Sequence, residues 1–222
     1  MQIGAGTDLP ARALLFDMDG TLVNSTPVIV GLWRRWAARH GVDPEALLSA
    51  SPGRRAIETV RMFAPAGMDV VAEAASLAKA AGEETEGLAP IPGASALLHS
   101  LPRGCWAVVT SAERVLAERW MLHAGLPLPD LLIAAEDVAA SKPDPAGFLR
   151  AAALLGCPPA EAVAFEDAPA GLVAGQAAGV RLIAIATTLP VAELEPYEWL
   201  PDFTQVSFGM GRQGRPVLRV GA

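Results

Sequence analysis

Apolar and polar positions along this chain repeat in two different periods. Short apolar runs of strand length occur at Ala13–Phe16, Cys105–Thr110, Leu131–Ala135, Ala162–Phe165 and Arg181–Thr187, and they read as buried strands. Between and after them, Ala94–Ser100, Ser111–Ala124, Pro145–Leu155 and Gly171–Ala178 carry apolar residues at helical spacing. In the second of these, Thr110 and Glu113 stand at capping-box spacing. Strands alternating with helices imply right-handed crossovers and a parallel sheet covered on both faces. Such sheets bind ligands beyond the carboxyl ends of their strands.

After Leu22 the pattern changes. Asn24-Ser25-Thr26-Pro27 offers a cap hydroxyl and a first-turn proline, and helical spacing runs from Val28 to His40, ending at Gly41. Asp43-Pro44-Glu45 opens a short helix, Ser51–Arg55 is a loop, and Ala56–Met62 and the Ala-rich Asp69–Glu86 are helical again. No β-branched alternation interrupts them. Residues 24–88 are therefore expected to form an all-helical insert, with 1–23 and 89–222 as the core into which it is set. Trp33 and Trp36 belong to the core of that insert rather than to a sugar platform. Residues 1–12 read as a loose tail, and Phe203–Phe208 with Pro216–Val220 as a terminal hairpin. Gly209-Met210-Gly211-Arg212-Gln213-Gly214 fits the spacing of a dinucleotide loop, but no helix or acidic partner can follow it, so it reads as a turn.

Composition narrows the function. The 222 residues are 52% hydrophobic with a formal net charge of −7 and no basic run, which fits a folded, water-soluble protein and excludes a nucleic-acid or anionic-membrane partner. No apolar run reaches the roughly 18 residues a membrane helix needs, and the start lacks the order of a signal peptide. Cys105 and Cys157 lack metal-ligand spacing and suit a reducing cytosol. A cytoplasmic location is expected.

The chemistry concentrates at strand ends. Asp17 and Asp19 sit two apart directly after Ala13–Phe16, followed by Gly20, which allows a sharp turn. Like charges at the end of a buried strand are costly unless a cation or a reaction requires them. Val108-Val109-Thr110-Ser111, Ser141-Lys142-Pro143-Asp144-Pro145 and Ala164-Phe165-Glu166-Asp167-Ala168-Pro169-Ala170-Gly171 follow in order. Together the four stretches resemble the ordered motifs of the haloacid dehalogenase superfamily, in its sugar-phosphate phosphatase and β-phosphoglucomutase branch. The match spans Leu14 to about Thr188.

That resemblance implies a Rossmann-like α/β core, a small helical cap inserted after the first strand, and phosphoryl transfer. Asp17 resembles the family's nucleophile, and Asp19 its general acid and base. Lys142 matches the lysine that offsets carboxylate and phosphate charge. Ser111, with Thr110 beside it, matches the phosphate contact, as hydroxyls and free N–H groups at a helix start would allow. Asp17, the main-chain carbonyl of Asp19, Asp167 and Glu166 match the ligand set for Mg²⁺, Glu166 binding directly or from behind. Asp144 matches a position that holds the lysine loop. Arg54 and Arg55 lie in a cap loop where related sugar phosphatases place substrate contacts; one of them is expected to face the site, Arg54 slightly ahead of Arg55, with a solvated pair as the alternative reading. The expected partner is a small phosphorylated metabolite, and the expected state a monomer.

Three functions fit this frame: a Mg²⁺-dependent sugar or polyol phosphatase, a β-phosphoglucomutase-type mutase, and a non-catalytic binding protein. Thr21 after Gly20 is usual among the phosphatases, whereas mutases often carry an aliphatic residue there. A dehalogenase typically lacks the second aspartate, present here as Asp19. A binding protein would have lost Asp17, Asp19, Lys142 or Asp167, and all four are present.

Overall fold

A computed structural model describes residues 1–210 and 216–221. In chain order the elements are β1 (Thr7–Pro10), β2 (Ala13–Phe16), β3 (Val23–Asn24), α1 (Thr26–His40), α2 (Pro44–Ala50), α3 (Ala56–Phe63) and α4 (Val70–Glu83). There follow β4 (Ala89–Pro90), α5 (Ala94–Ser100), β5 (Trp106–Val109), α6 (Arg114–His123), β6 (Leu132–Ile133) and α7 (Ala146–Leu154). The chain closes with β7 (Ala162–Glu166), α8 (Pro169–Ala178), β8 (Arg181–Ile185), β9 (Glu198–Leu200), β10 (Val206–Met210) and β11 (Pro216–Val220).

The central sheet has six parallel strands in the order β6-β5-β2-β7-β8-β9. Successive side chains of a strand point to opposite faces, and the sequence uses the two faces differently. Leu14, Phe16, Val108, Val163 and Phe165 pack with Leu97 and Leu98 of α5 and Trp120 and Met121 of α6. Ala13, Leu15, Ala107, Ala162 and Ala164 pack with Phe148 and Ala151 of α7 and Ala174 of α8. Large residues fill one side and small ones let α7 and α8 approach on the other. Gly175 continues that logic, since a Cβ there would press on Leu182 at 2.7 Å. Phe16 stacks on Phe165 at 5.0 Å, with Phe203 edge-on to both. The expected parallel α/β core with helices on both faces is what forms.

Helices α1–α4 form the insert, with a core of their own around Trp33, Trp36, Leu47 and Val60. The two indoles meet edge to face at 6.0 Å, and Trp36 Nε1 donates to Glu73, so both are packing residues. Gly41, at φ 67°, ends α1 in the left-handed conformation that spares glycine a Cβ clash. Entry and exit strands pair as a short antiparallel ribbon, Val23 with Pro90 and Asn24 with Ala89.

Several expectations are corrected. Residues 1–12 are not loose: β1 pairs antiparallel with β11, with β10 on its other side, because Leu9 is fully buried and brings its backbone to the hairpin edge. The terminal hairpin is thus part of a three-stranded sheet. Gly211 to Gly214 of the glycine-rich pattern lie outside the described residues. Helix α6 begins three residues later than expected, and no Thr110–Glu113 box forms: Glu113 is itself the cap position, and Thr110 accepts from Ala112 N. The strand expected over 131–135 shrinks to Leu132–Ile133, and the one over 181–187 ends at Ile185. Strand β9 was not anticipated, since Glu198 and Trp199 lack an apolar run. Among the described residues no helix is long and apolar enough to cross a membrane.

Candidate active site

Strand β2 lies mid-sheet, between β5 and β7, so the carboxyl ends of these three strands open onto one spot. The sequence placed a charged or hydroxylic residue at each end: Asp17 after β2, Thr110 after β5, Glu166 and Asp167 at the end of β7. The loop before α7 adds Lys142. Asp17, Thr110, Lys142, Glu166 and Asp167 are all buried, the last two at 0% and 1% exposure. One carboxylate oxygen each from Asp17, Glu166 and Asp167 lie within 4.8 Å of one another, close enough that the three could hold a metal ion.

Lys142 Nζ donates to Asp17 Oδ1, to Glu166 Oε2 at 2.8 Å and to the Val109 carbonyl at 3.0 Å, and it lies 5.3 Å from the Phe148 ring centre. Burial alone would lower the lysine pKa, but the Asp17 and Glu166 carboxylates outweigh it, and it is raised. One ammonium does not neutralise the acids around it. Burial and the Asp17 charge raise Asp167 to about 7, against hydrogen bonds from Thr188 and Thr21. Burial, Asp17 and Asp167 raise Glu166 well above the carboxylate range, with Lys142 opposing. Burial raises Asp17 as well, with Lys142 again pulling the other way. Asp19, half-buried, is raised to about 7 by desolvation and by Asp17, although Ser25 hydrogen-bonds it at 2.6 Å. A surplus of buried carboxylate oxygens over cations is the donor chemistry a hard divalent ion requires. The residues present therefore fit such an ion.

Two motif glycines make room for the acids. Gly20, at φ 79°, turns the chain so tightly that a Cβ would overlap the Asp167 carboxyl, and a Cβ on Gly171 would overlap that of Glu166. Their presence was legible; their reason was not.

The expected site residues come together with some changes of role. Ser111 does not start a helix, and its Oγ donates to the Gly53 carbonyl of the insert at 2.8 Å. Asp144 holds its loop as expected: its N–H bonds the Ser141 carbonyl and its carboxylate accepts from Ala146 N at the start of α7. Of the two arginines, Arg55 rather than Arg54 lines the cleft, beside Thr110, Ser111, Ser141 and Lys142, and donates to the Val138 carbonyl at 2.8 Å. Its Nε is buried without a hydrogen-bond partner among the described residues.

Three residues escaped the sequence reading. Ser25 looked like a helix cap, yet it makes no cap hydrogen bond and gives its proton to Asp19. Thr188 donates to Asp167 Oδ2, complementing Thr21, which donates to Oδ1 at 2.8 Å, and Thr187 donates to the Gly20 carbonyl at 2.5 Å. The Thr187-Thr188 pair just beyond β8 was the available signal, since that strand also ends at the site edge.

A family model described as haloacid dehalogenase-like hydrolase matches residues 11–179. The chain belongs to that family. Among its haloacid dehalogenase-like relatives, hexitol phosphatase A of Escherichia coli (strain K12) is 43% identical over 178 residues, covering 78% of this chain and 82% of that protein. Glycerol-1-phosphate phosphohydrolase 2 of Saccharomyces cerevisiae (strain ATCC 204508 / S288c) is 38% identical over 194 residues, covering 81% and 76%. Among solved structures, CbbY from Rhodobacter sphaeroides in complex with phosphate superposes with a TM-score of 0.72 at 25% identity, covering 88% of this chain and 96% of that one.

Proposed function

We propose that this hydrolase is a Mg²⁺-dependent phosphatase acting on a small sugar or polyol phosphate through an aspartyl phosphate on Asp17. The observation that carries the reading is the unequal setting of the two aspartates. Asp17 is salt-bridged to Lys142, which opposes the rise that burial gives its pKa, whereas among the described residues Asp19 has no ion-pair partner and desolvation with the Asp17 charge raises it to about 7, leaving it able to give or take a proton near neutrality. A nucleophile and an acid are thereby separated within three residues.

In this mechanism an Asp17 oxygen attacks phosphorus as the bond to the substrate oxygen breaks. Asp19 gives that oxygen its proton. Asp19, now a carboxylate, takes a proton from water as the water attacks phosphorus, and cleavage of the phosphorus bond to Asp17 returns the enzyme with free phosphate. Lys142 offsets charge on Asp17 and on the transferring group, and Thr110 donates to a phosphate oxygen, joined by Ser111 once its hydroxyl has left the Gly53 carbonyl. Asp17, Asp167, the Asp19 carbonyl and Glu166 would hold Mg²⁺, which supplies positive charge at phosphorus. Arg55 reaches the substrate from the helical cap, residues 24–88 closing over the core formed by 1–23 and 89–222. The names of the relatives, a hexitol phosphatase and a glycerol-1-phosphate phosphohydrolase, support hydrolysis of a polyol or sugar phosphate over mutase chemistry.

Phosphate release from a panel of hexose, pentose, polyol and triose phosphates, with Mg²⁺ and with chelator, tests this. Metal-dependent release, abolished in Asp17→Asn, is expected. An active Asp17→Asn variant, or conversion of β-glucose 1-phosphate to the 6-phosphate with little release, would overturn it.

A further inference from the structure

Besides Ser25, which donates to Asp19, the insert meets the site through the loop before α3 and the first turn of that helix. The Gly53 carbonyl accepts from Ser111 Oγ at 2.8 Å, and Arg55 donates to the Val138 carbonyl at 2.8 Å. Both carboxylate oxygens of Glu58 lie 2.5 Å from Ser141 Oγ. Each core partner flanks the reaction centre. Ser111 follows Thr110, and Val138 and Ser141 belong to the loop that carries Lys142.

We propose that Glu58 is a positioning residue: its bond to Ser141 latches the insert over the site and, with the same bond, fixes the loop that presents Lys142. The inference rests on the phosphatase reading for what the latch serves. Ser141 has one proton to give, and a charged acceptor makes the stronger bond. Its only other acceptor in reach among the described contacts is the Lys142 carbonyl, a poorer one at 3.3 Å. Downstream, the loop is already tied, since Asp144 bonds the Ser141 carbonyl and caps Ala146. Upstream, the tie runs through Glu58 and Arg55, both on the insert. When the insert lifts to admit substrate these bonds break, and the Lys142 loop keeps only its downstream tie through Asp144 and the bonds of the lysine ammonium. Closure thus excludes water and tightens the lysine loop in one movement.

A plainer role for Glu58 exists and is separable. It lies in the first turn of α3, where a negative charge favours the helix dipole. Glu58→Ala removes dipole charge and latch, Glu58→Gln removes the charge but keeps an acceptor, and Ser141→Ala removes the latch alone.

The experiment measures kcat and KM for wild type, E58A, E58Q, S141A and E58A/S141A on the best substrate of the panel, with amide hydrogen exchange over residues 138–142. E58A and S141A are each expected to lower kcat/KM roughly 10- to 150-fold, the range a hydrogen bond to a charged group carries, with kcat falling as well as KM rising. The double variant should be no worse than either single one, and E58Q should recover most of the loss. Exchange over 138–142 should quicken in E58A and S141A. Multiplicative losses in the double variant would overturn the proposal. So would wild-type kinetics in S141A with lowered thermal stability in both Glu58 variants, the outcome of a dipole role. If wild type releases no phosphate from any substrate, the phosphatase reading falls by itself. The exchange arm still decides the latch, because unchanged exchange in E58A overturns it.

Discussion

Lys142 and Glu166 form a buried ion pair at 2.8 Å, with side chains 6% and 0% exposed. Burying both ions is offset by the same ammonium serving Asp17 and the Val109 carbonyl. Removing it strands two carboxylates. Lys142→Ala should therefore cost about 3–5 kcal/mol of stability, a fall of roughly 6–20 °C in Tm for a domain of this size, measured in chelator at pH 8. The deficit should shrink as pH falls and the stranded acids take up protons. Phosphate release should drop at least about 100-fold, as when a preorganised charge is lost. A variant as stable as wild type at pH 8 would show that the pair contributes nothing.

Thr188 holds Asp167 from the side opposite Thr21. A partner that orients a ligand typically contributes about 10- to 100-fold in metal affinity. Thr188→Val should raise the Mg²⁺ concentration for half-maximal effect by about 10-fold, read both from activity and from the Mg²⁺-dependent rise in Tm. Unchanged Mg²⁺ affinity would remove Thr188 from the site.

Gly171 and Gly82 are both helical, and helix propensity alone favours alanine at each by roughly 1 kcal/mol. At Gly82 the nearest atom to a new Cβ is 3.9 Å away, so Gly82→Ala should raise Tm by about 1–3 °C. At Gly171 the Cβ meets the Glu166 carboxyl, and Gly171→Ala should instead destabilise by about 1–3 kcal/mol and reduce activity. Thermal melts of the two variants should move in opposite directions; a shared direction would mean that the acid has room to yield.

Arg181 and Glu198 tie β8 to β9 through two 2.8 Å hydrogen bonds. The Arg181 bond holds the Glu198 carboxyl below its usual range. A depressed folded-state pKa stabilises above the ordinary carboxylate value of about 4.3, and that stability is lost as pH falls through the lower folded value. Both side chains are more than a third exposed, so the effect is roughly 0.2–1 kcal/mol. Glu198→Gln should lower Tm by about 1–3 °C at pH 7 and match wild type at pH 3. A gap that persists at pH 3 would point to packing rather than charge.

What the sequence alone disclosed followed from short-range physics. A buried apolar run must end in a turn, so the strand before Asp17 and the strand before Glu166-Asp167 were legible, as were the helices whose apolar spacing demands a packed face. The motifs that resemble the haloacid dehalogenase family carried the acids, Lys142 and the inserted helices with them. Ser25 was misread because a hydroxyl before a helix has a local use, capping, and only the approach of Asp19 gives it a different acceptor. The arginine facing the cleft, the hydroxyls of Thr187 and Thr188, and the meeting of Glu58 with Ser141 were decided by tertiary structure. Each depends on which loops the sheet order brings together, and partners as far apart as Glu58 and Ser141, 83 positions along the chain, leave no period or spacing in it to read. The edge pairing of β1 with β11 was hidden for the same reason: backbone hydrogen bonds between distant strands ask little of the side chains that would announce them.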